Sequence, residues 1–160
     1  MAVGGKIDIA FVTKKTKLPN SEYIPLTEDD ILAVLPREHR LAGREVISPS
    51  DIEGEPFISL LENSAQDARS VLEDSGVRVD VEFTAKGDYA IIAMVEQGLG
   101  ISIMPALLLE GHSDGICTAK IEGGKKRTIG LAFSSAGAKS PAAQNFARFV
   151  QEWVRNKYNV

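Results

Sequence analysis

The chain has 160 residues with 22 acidic and 18 basic side chains, a net charge of −4. It therefore lacks the clustered positive charge with which a protein grips nucleic acid. At 44% hydrophobic and 25% charged it has the make-up of a folded domain or two small lobes. No apolar run reaches the roughly 20 residues of a membrane span. The opening MAVGGKIDIAFV has neither the charged start nor the long apolar centre of a secretory signal. The single cysteine, Cys117, cannot close an internal disulfide, so a reducing cytoplasm is the expected setting.

In chain order, Lys6 to Val12 reads as a strand bounded by Gly4-Gly5. Thr13 to Ser21 is a polar loop. Tyr23 to Leu26 is short and extended, because Pro25 removes a backbone donor. The acidic run Glu28-Asp29-Asp30 reads as a solvated turn. Asp30 to Leu35 is a second apolar strand, stopped by Pro36. Ser48-Pro49-Ser50-Asp51 has a capping-box pattern and opens one helical turn that ends near Gly54. Phe57 to Leu60 is the next strand. Ser64, with Asp67 three residues on, opens a helix that Gly76 closes.

Val77, Val79, Val81 and Phe83 alternate with charged residues, the pattern of a strand near an edge. Asp88 to Pro105, DYAIIAMVEQGLGISIMP, then reads as helix, tight turn, buried strand and new loop. Its apolar residues Ile91, Ile92, Val95 and Leu99 have helical spacing. Asp88 is the expected cap, and Gly98 suits a left-handed helix end. Ala106 to Glu110 is a short helix. Ile116 to Ile121 and Thr128 to Phe133 are strands joined by a hairpin turn at Gly123-Gly124. Pro141 opens a last helix whose apolar face holds Ala142, Phe146, Phe149, Val150, Trp153 and Val154. Strands alternating with helices predict an α/β fold with a largely parallel sheet.

Reactive chemistry is sparse. His39 and His112 have no Cys, His or Glu at metal-ligand spacing and read as solvated loop residues. Cys117 reads as a buried structural thiol. No Ser stands in a nucleophile elbow. Gly98-Leu99-Gly100 follows a helix and precedes a strand, the wrong order for a dinucleotide fingerprint. No catalytic residue, metal site or cofactor is implied. What remains is two predicted helix starts, Asn63-Ser64 and Gly87-Asp88, each following a strand. Their unpaired N–H groups could hold a carboxylate or other polar head.

The chain resembles the effector-binding domain of LysR-type transcriptional regulators. Gly5-Lys6-Ile7-Asp8-Ile9-Ala10 is similar to the family's "G-x-L-D-hydrophobic-A/G" strand. Leu26, then Ile31 to Pro36 and His39-Arg40-Leu41-Ala42, follow its strand and "H-P-L-A" turn, with Arg40 in place of the usual Pro. Ser48 to Ile52 and Pro56-Phe57-Ile58 follow its next segment. Glu96 to Pro105, EQGLGISIMP, matches its "G-x-G-I-x-x-x-P" signature, and Ala142 to Val154 its closing helix.

The resemblance implies a fold of the type II periplasmic-binding-protein kind: two α/β lobes, two crossover strands and a small-molecule effector in the interlobe cleft. Ile31 to Leu35 and Thr128 to Phe133 would be the crossover strands. Residues 30–132 would form lobe II, and residues 1–29 with 133–160 an incomplete lobe I. Family members are roughly twice as long and begin with a winged helix-turn-helix, so DNA would be contacted only through a segment absent from this chain. The cleft candidates are Phe11 and Thr13 in lobe I, and Leu60, Asn63, Ser64, Gly87, Asp88, Tyr89 and Pro105 in lobe II. Asn63 and Ser64 would donate hydrogen bonds to a small anionic effector, and Phe11 and Tyr89 would supply apolar walls. With lobe I incomplete, Ile7 to Val12 and the last helix need another cover, which predicts a homo-oligomer, dimer or higher. The alternatives are a stand-alone solute-binding protein of the same fold and, further off, a small-molecule enzyme.

Overall fold

A computed structural model describes residues 7–14, 22–61, 66–112, 114–135 and 137–158. Its strands are β1 (Ile9–Thr13), β2 (Glu22–Pro36), β3 (Val46–Ile47), β4 (Pro56–Leu60), β5 (Asp80–Ala85), β6 (Ser102–Pro105), β7 (Ile116–Ile121) and β8 (Lys126–Phe133). Its α-helices are α1 (Gln66–Ser75), α2 (Asp88–Glu96) and α3 (Pro141–Tyr158). The chain divides into two compact units. Unit 1 comprises residues 1–29 and 127–160, and unit 2 residues 30–126.

Unit 2 shows why Asp30 to Leu35 is apolar without a break. Along β2, Ile31, Ala33 and Leu35 point to one side and pack with Val71 and Leu72 of α1. Val34, between them, points to the other side and packs with Ile91, Ile92 and Val95 of α2. Both faces are covered, so neither can carry charge. The neighbouring strands repeat the division. Phe57 and Ile103 join the α1 side, and Ile58 and Met104 join the α2 side.

The pairing is mixed, not largely parallel. β2 runs antiparallel to both β6 and β7, while β3 lies parallel to β7 and β4 parallel to β5. A single parallel bridge, Phe57 to Ile101, links β4 to the segment before β6. Two backbone bonds of 2.8 Å make it, Ile58 N–H to Ile101 O and Ile101 N–H to Pro56 O. The approach requires Gly100. A Cβ there would stand 2.5 Å from Pro56 O.

In unit 1, β1 pairs antiparallel with β8, from Ile9 opposite Phe133 to Thr13 opposite Ile129. Leu131 and Phe133 are covered by Ala143, Ala147, Val150 and Val154 of α3. Ile24 and Leu26 of β2 pack against the same cluster.

Three expectations are corrected here. The Glu28-Asp29-Asp30 run is not a turn but the middle of β2, which continues through Pro25 as one 15-residue strand. Asp29 is buried there because Arg127 Nε donates to its Oδ2 at 2.8 Å. The strands flanking Gly123-Gly124 do not form a hairpin, because β2 lies between β7 and β8 in the sheet order. Gly87, at φ 94°, caps α2, and Asp88 is its first helical residue. Gly98 is left-handed, at φ 74°, as a helix end requires.

Candidate functional site

The register of β4 and β5 sets the geometry of the site. The two strands are parallel, and Leu60 at the end of β4 stands opposite Ala85 at the end of β5. The strands therefore finish side by side, and the chain leaves both at one edge. It re-enters as α1 after the first and α2 after the second. Ligands of open α/β sheets bind at such an edge, outside the strands' carboxyl ends. Asp67 in the first turn of α1 and Asp88 in the first turn of α2 line one recess there. Ser59 and Leu60 of β4, and Ser102 and Pro105 of β6, complete its rim, over a floor that includes Phe57, Ile58 and Ile91.

The recess is narrow. Its free volume of about 30 Å³ suits water rather than a whole metabolite. Among the described residues its polar side chains are the carboxylates of Asp67 and Asp88 and the hydroxyls of Ser59 and Ser102. Ser102 is buried and satisfied, its Oγ donating to Ile58 O at 2.8 Å. That bond ties β6 to β4 at the floor. Ser59 Oγ donates to Leu60 O at 3.4 Å. The first turns of both helices add partial positive charge.

Of the residues expected at the site, Leu60, Asp88 and Pro105 are brought together in this recess. Gly87 caps the helix that Asp88 opens. Tyr89 points into solvent at 73% exposure, with its ring 5.2 Å from that of His112. Phe11 and Thr13 belong to β1 of unit 1, where Phe11 is 58% exposed. Asn63 and Ser64, and the cap expected of Ser64, lie outside the described residues. Sequence reasoning missed Ser59, Asp67 and Ser102 as lining residues. Asp67 had a signal: it was read as half of a capping box, and a first-turn carboxylate can also face the strand ends.

The histidines are not simply solvated. His39 accepts Leu41 N–H at Nδ1 (3.3 Å) and faces Glu55 Oε2 from Nε2 at 3.0 Å. The neutral ring therefore carries its proton on Nε2 and donates it to the carboxylate. Arg40 Nε donates to the other oxygen at 2.7 Å. Burial alone would raise the Glu55 pKa. The hydrogen bonds from His39 and Arg40, with the charge of the Arg40 guanidinium, outweigh it and hold the carboxyl below its usual value of 4.5. Arg40 thus has a structural task away from the recess. Cys117 is half-buried against the unit 2 core. Among the described residues no group of three His, Cys, Asp or Glu could hold a metal ion, and no helix is long and apolar enough to cross a membrane.

The sequence model of the LysR substrate binding domain family matches residues 2–155. The chain belongs to this family. As a LysR substrate-binding domain it is 27% identical over 149 residues to the Bacillus subtilis HTH-type transcriptional regulator YybE, covering 91% of this chain and 51% of that protein. It is 24% identical over 162 residues to a probable hydrogen peroxide-inducible genes activator of Mycobacterium avium, covering 98% and 52%. The chain thus spans about half the length of these relatives. Among solved structures it is similar to the Synechocystis PCC6803 CcmR regulatory domain in complex with 2-PG. There the TM-score is 0.84 at 22% identity, over 95% of this chain and 76% of that one. The effector-binding domain of QuiR in complex with shikimate gives a TM-score of 0.80 at 24% identity, over 95% and 74%. The shared fold is that of LysR regulatory domains, the type II periplasmic-binding-protein kind.

Proposed function

We propose that this chain is the ligand-sensing part of a LysR-type transcriptional regulator. It holds the polar head of a small-molecule effector at the recess of unit 2, with the rest of the effector outside it, and passes the change to a DNA-binding part of the protein. The role is non-enzymatic and cytoplasmic, and the protein is a homo-oligomer. The observation that carries the reading is the parallel Leu60–Ala85 register, which opens α1 and α2 at one edge around a polar recess. The relatives' names as transcriptional regulators, and the 2-PG and shikimate complexes of similar domains, support it.

The recess also indicates the effector's chemistry. Helix starts favour an anionic group. Asp67 and Asp88 favour hydrogen-bond donors and oppose a bare anion. An acid that carries hydroxyl groups satisfies both. Its binding can shift a regulator only through contacts that differ between two conformations.

Isothermal titration with shikimate, lactate, citrate and inorganic phosphate tests the reading. A hydroxy acid should give a saturable heat, and Asp88→Asn should weaken it about tenfold, the loss of one hydrogen bond to a charged group. Absence of saturable heat for every probe at millimolar concentration, or equal affinity in the variant, would overturn it.

A further inference from the structure

Unit 1 holds a larger opening than the recess of unit 2. A groove with a free volume of about 450 Å³ runs between α3 and the start of β2. That volume lies within the range of small-molecule sites. The strand pairing explains its place. The partners β6 and β7 of β2 begin only at Ile31 and Leu32. Among the described residues the first half of β2 therefore has β8 as its one neighbouring strand. Small side chains keep the groove open. A longer side chain in place of Ala138, just before α3, or of Ala147, within it, would take up the free space.

The floor of the groove is apolar, made by Ile24, Phe133, Ala138 and Ala147. Its rim carries one charge of each sign. Arg148 comes from the flank of α3 that also bears Gln144 and Gln151, and at about 100° per residue the three share a sector roughly 60° wide. Glu22, the first residue of β2, brings a carboxylate. The guanidinium has five N–H donors, and Asn145 Oδ1 accepts from one terminal nitrogen. The two glutamines turn back on their own backbone: Gln144 Nε2 donates to Ala138 O at 2.8 Å and Gln151 Nε2 to Ala147 O at 3.2 Å. They frame the groove rather than fill it.

These charges select a ligand class. A simple anion is attracted by Arg148 and repelled by Glu22, and a simple amine meets the reverse. A molecule with both charges on one carbon gains from both residues, and the floor rewards an apolar group on that same carbon. We propose that this groove is a second small-molecule site, one for an apolar α-amino acid. The carboxylate meets Arg148, the ammonium meets Glu22, and the side chain lies over Ile24 and Phe133. The groove belongs wholly to unit 1, so the proposal does not rest on the recess.

Backbone amide shifts of the isotope-labelled chain, followed as L-phenylalanine is added, test it. Binding in so open a groove should be weak, with a Kd of about 1 mM. Saturable shifts should cluster at Ile24, Ala138 and Gln144. Phenylpropanoate, which lacks the ammonium, and phenethylamine, which lacks the carboxylate, should each bind about tenfold more weakly. Arg148→Gln and Glu22→Gln, both at exposed positions, should weaken phenylalanine binding by a similar factor, with circular dichroism checking the fold. Asp88→Asn, in the recess, should leave it unchanged, so this proposal and the effector reading fail separately. No saturable shift, shifts clustered at Leu60 and Asp88 instead, equal binding of the two truncated probes, or indifference to both variants would overturn the proposal.

Discussion

Asp29 and Arg127 form an ion pair inside the fold. Arg127 Nε and a terminal nitrogen both lie 2.8 Å from Asp29 Oδ2, with the aspartate side chain 1% and the arginine side chain 16% exposed. The pair ties β2 to β8 at the place where both strands leave unit 1. One step along, Lys126 and Asp30 face each other at 3.6 Å, but exposed to water. The two pairs look alike and should differ widely in what their loss costs.

Removing one partner of the buried pair leaves a charge without its counter-ion. Asp29→Ala should destabilise by about 3–5 kcal/mol in urea unfolding. Asp30→Ala, at the exposed pair, should cost less than about 1 kcal/mol. Equal losses would mean that burial does not set the strength of these pairs.

Glu55 makes stability depend on acid. Its carboxyl pKa is lowered in the folded state, so the carboxylate stabilises the fold above its unfolded pKa of about 4.5. That contribution is lost as pH falls through the lower folded value. Thermal unfolding followed from pH 6 downwards should show stability falling below about pH 5. Glu55→Gln should flatten part of that fall and lower stability at pH 7. An unchanged acid profile in Glu55→Gln would contradict the His39–Glu55–Arg40 bracket.

Gly100 is held by space. Gly100→Ala pushes a methyl group to 2.5 Å from Pro56 O, and that oxygen accepts Ile101 N–H. The substitution should cost about 1–3 kcal/mol. Amide exchange at Ile58 and Ile101 should accelerate more than exchange in α3. Uniform acceleration would mean that the bridge is not the part strained.

Tyr89 separates binding from folding. It is largely exposed and touches His112 alone among described aromatic rings. Tyr89→Ala should change stability by less than about 0.5 kcal/mol. If Tyr89 is a wall of the effector site, the same variant should lose affinity in titration. Unchanged affinity would remove it from the site.

The sequence was legible where a residue's surroundings are near it in the chain. Ile31 to Leu35 reads as a buried strand because both its faces are apolar, and Gly98 reads as a helix end because the end is local. The EQGLGISIMP signature placed the turn between α2 and β6 for the same reason. Asp29 was misread because its partner lies 98 residues away. Three acids in a row look solvated until one of them meets an arginine. His39 was misread similarly, since Glu55 lies 16 positions on. The β7–β8 turn looked like a hairpin because no local feature shows that β2 comes between those strands. In the recess, Asp88 and Leu60 followed from chain order. Ser102 did not, because its role rests on Ile58, 44 residues earlier.

The β1–β8 register carries a consequence for synthesis. Residues 9–13 leave the ribosome some 120 positions before their partners, 129–133. Unit 2 is complete in sequence at residue 126 and can collapse while β1 still has no neighbour on the β8 side. Throughout that interval the β1 amides that pair with β8 lack their partner strand and can pair with another. A chaperone that shields this segment until β8 is made should raise the yield of folded protein more than one acting on the finished chain.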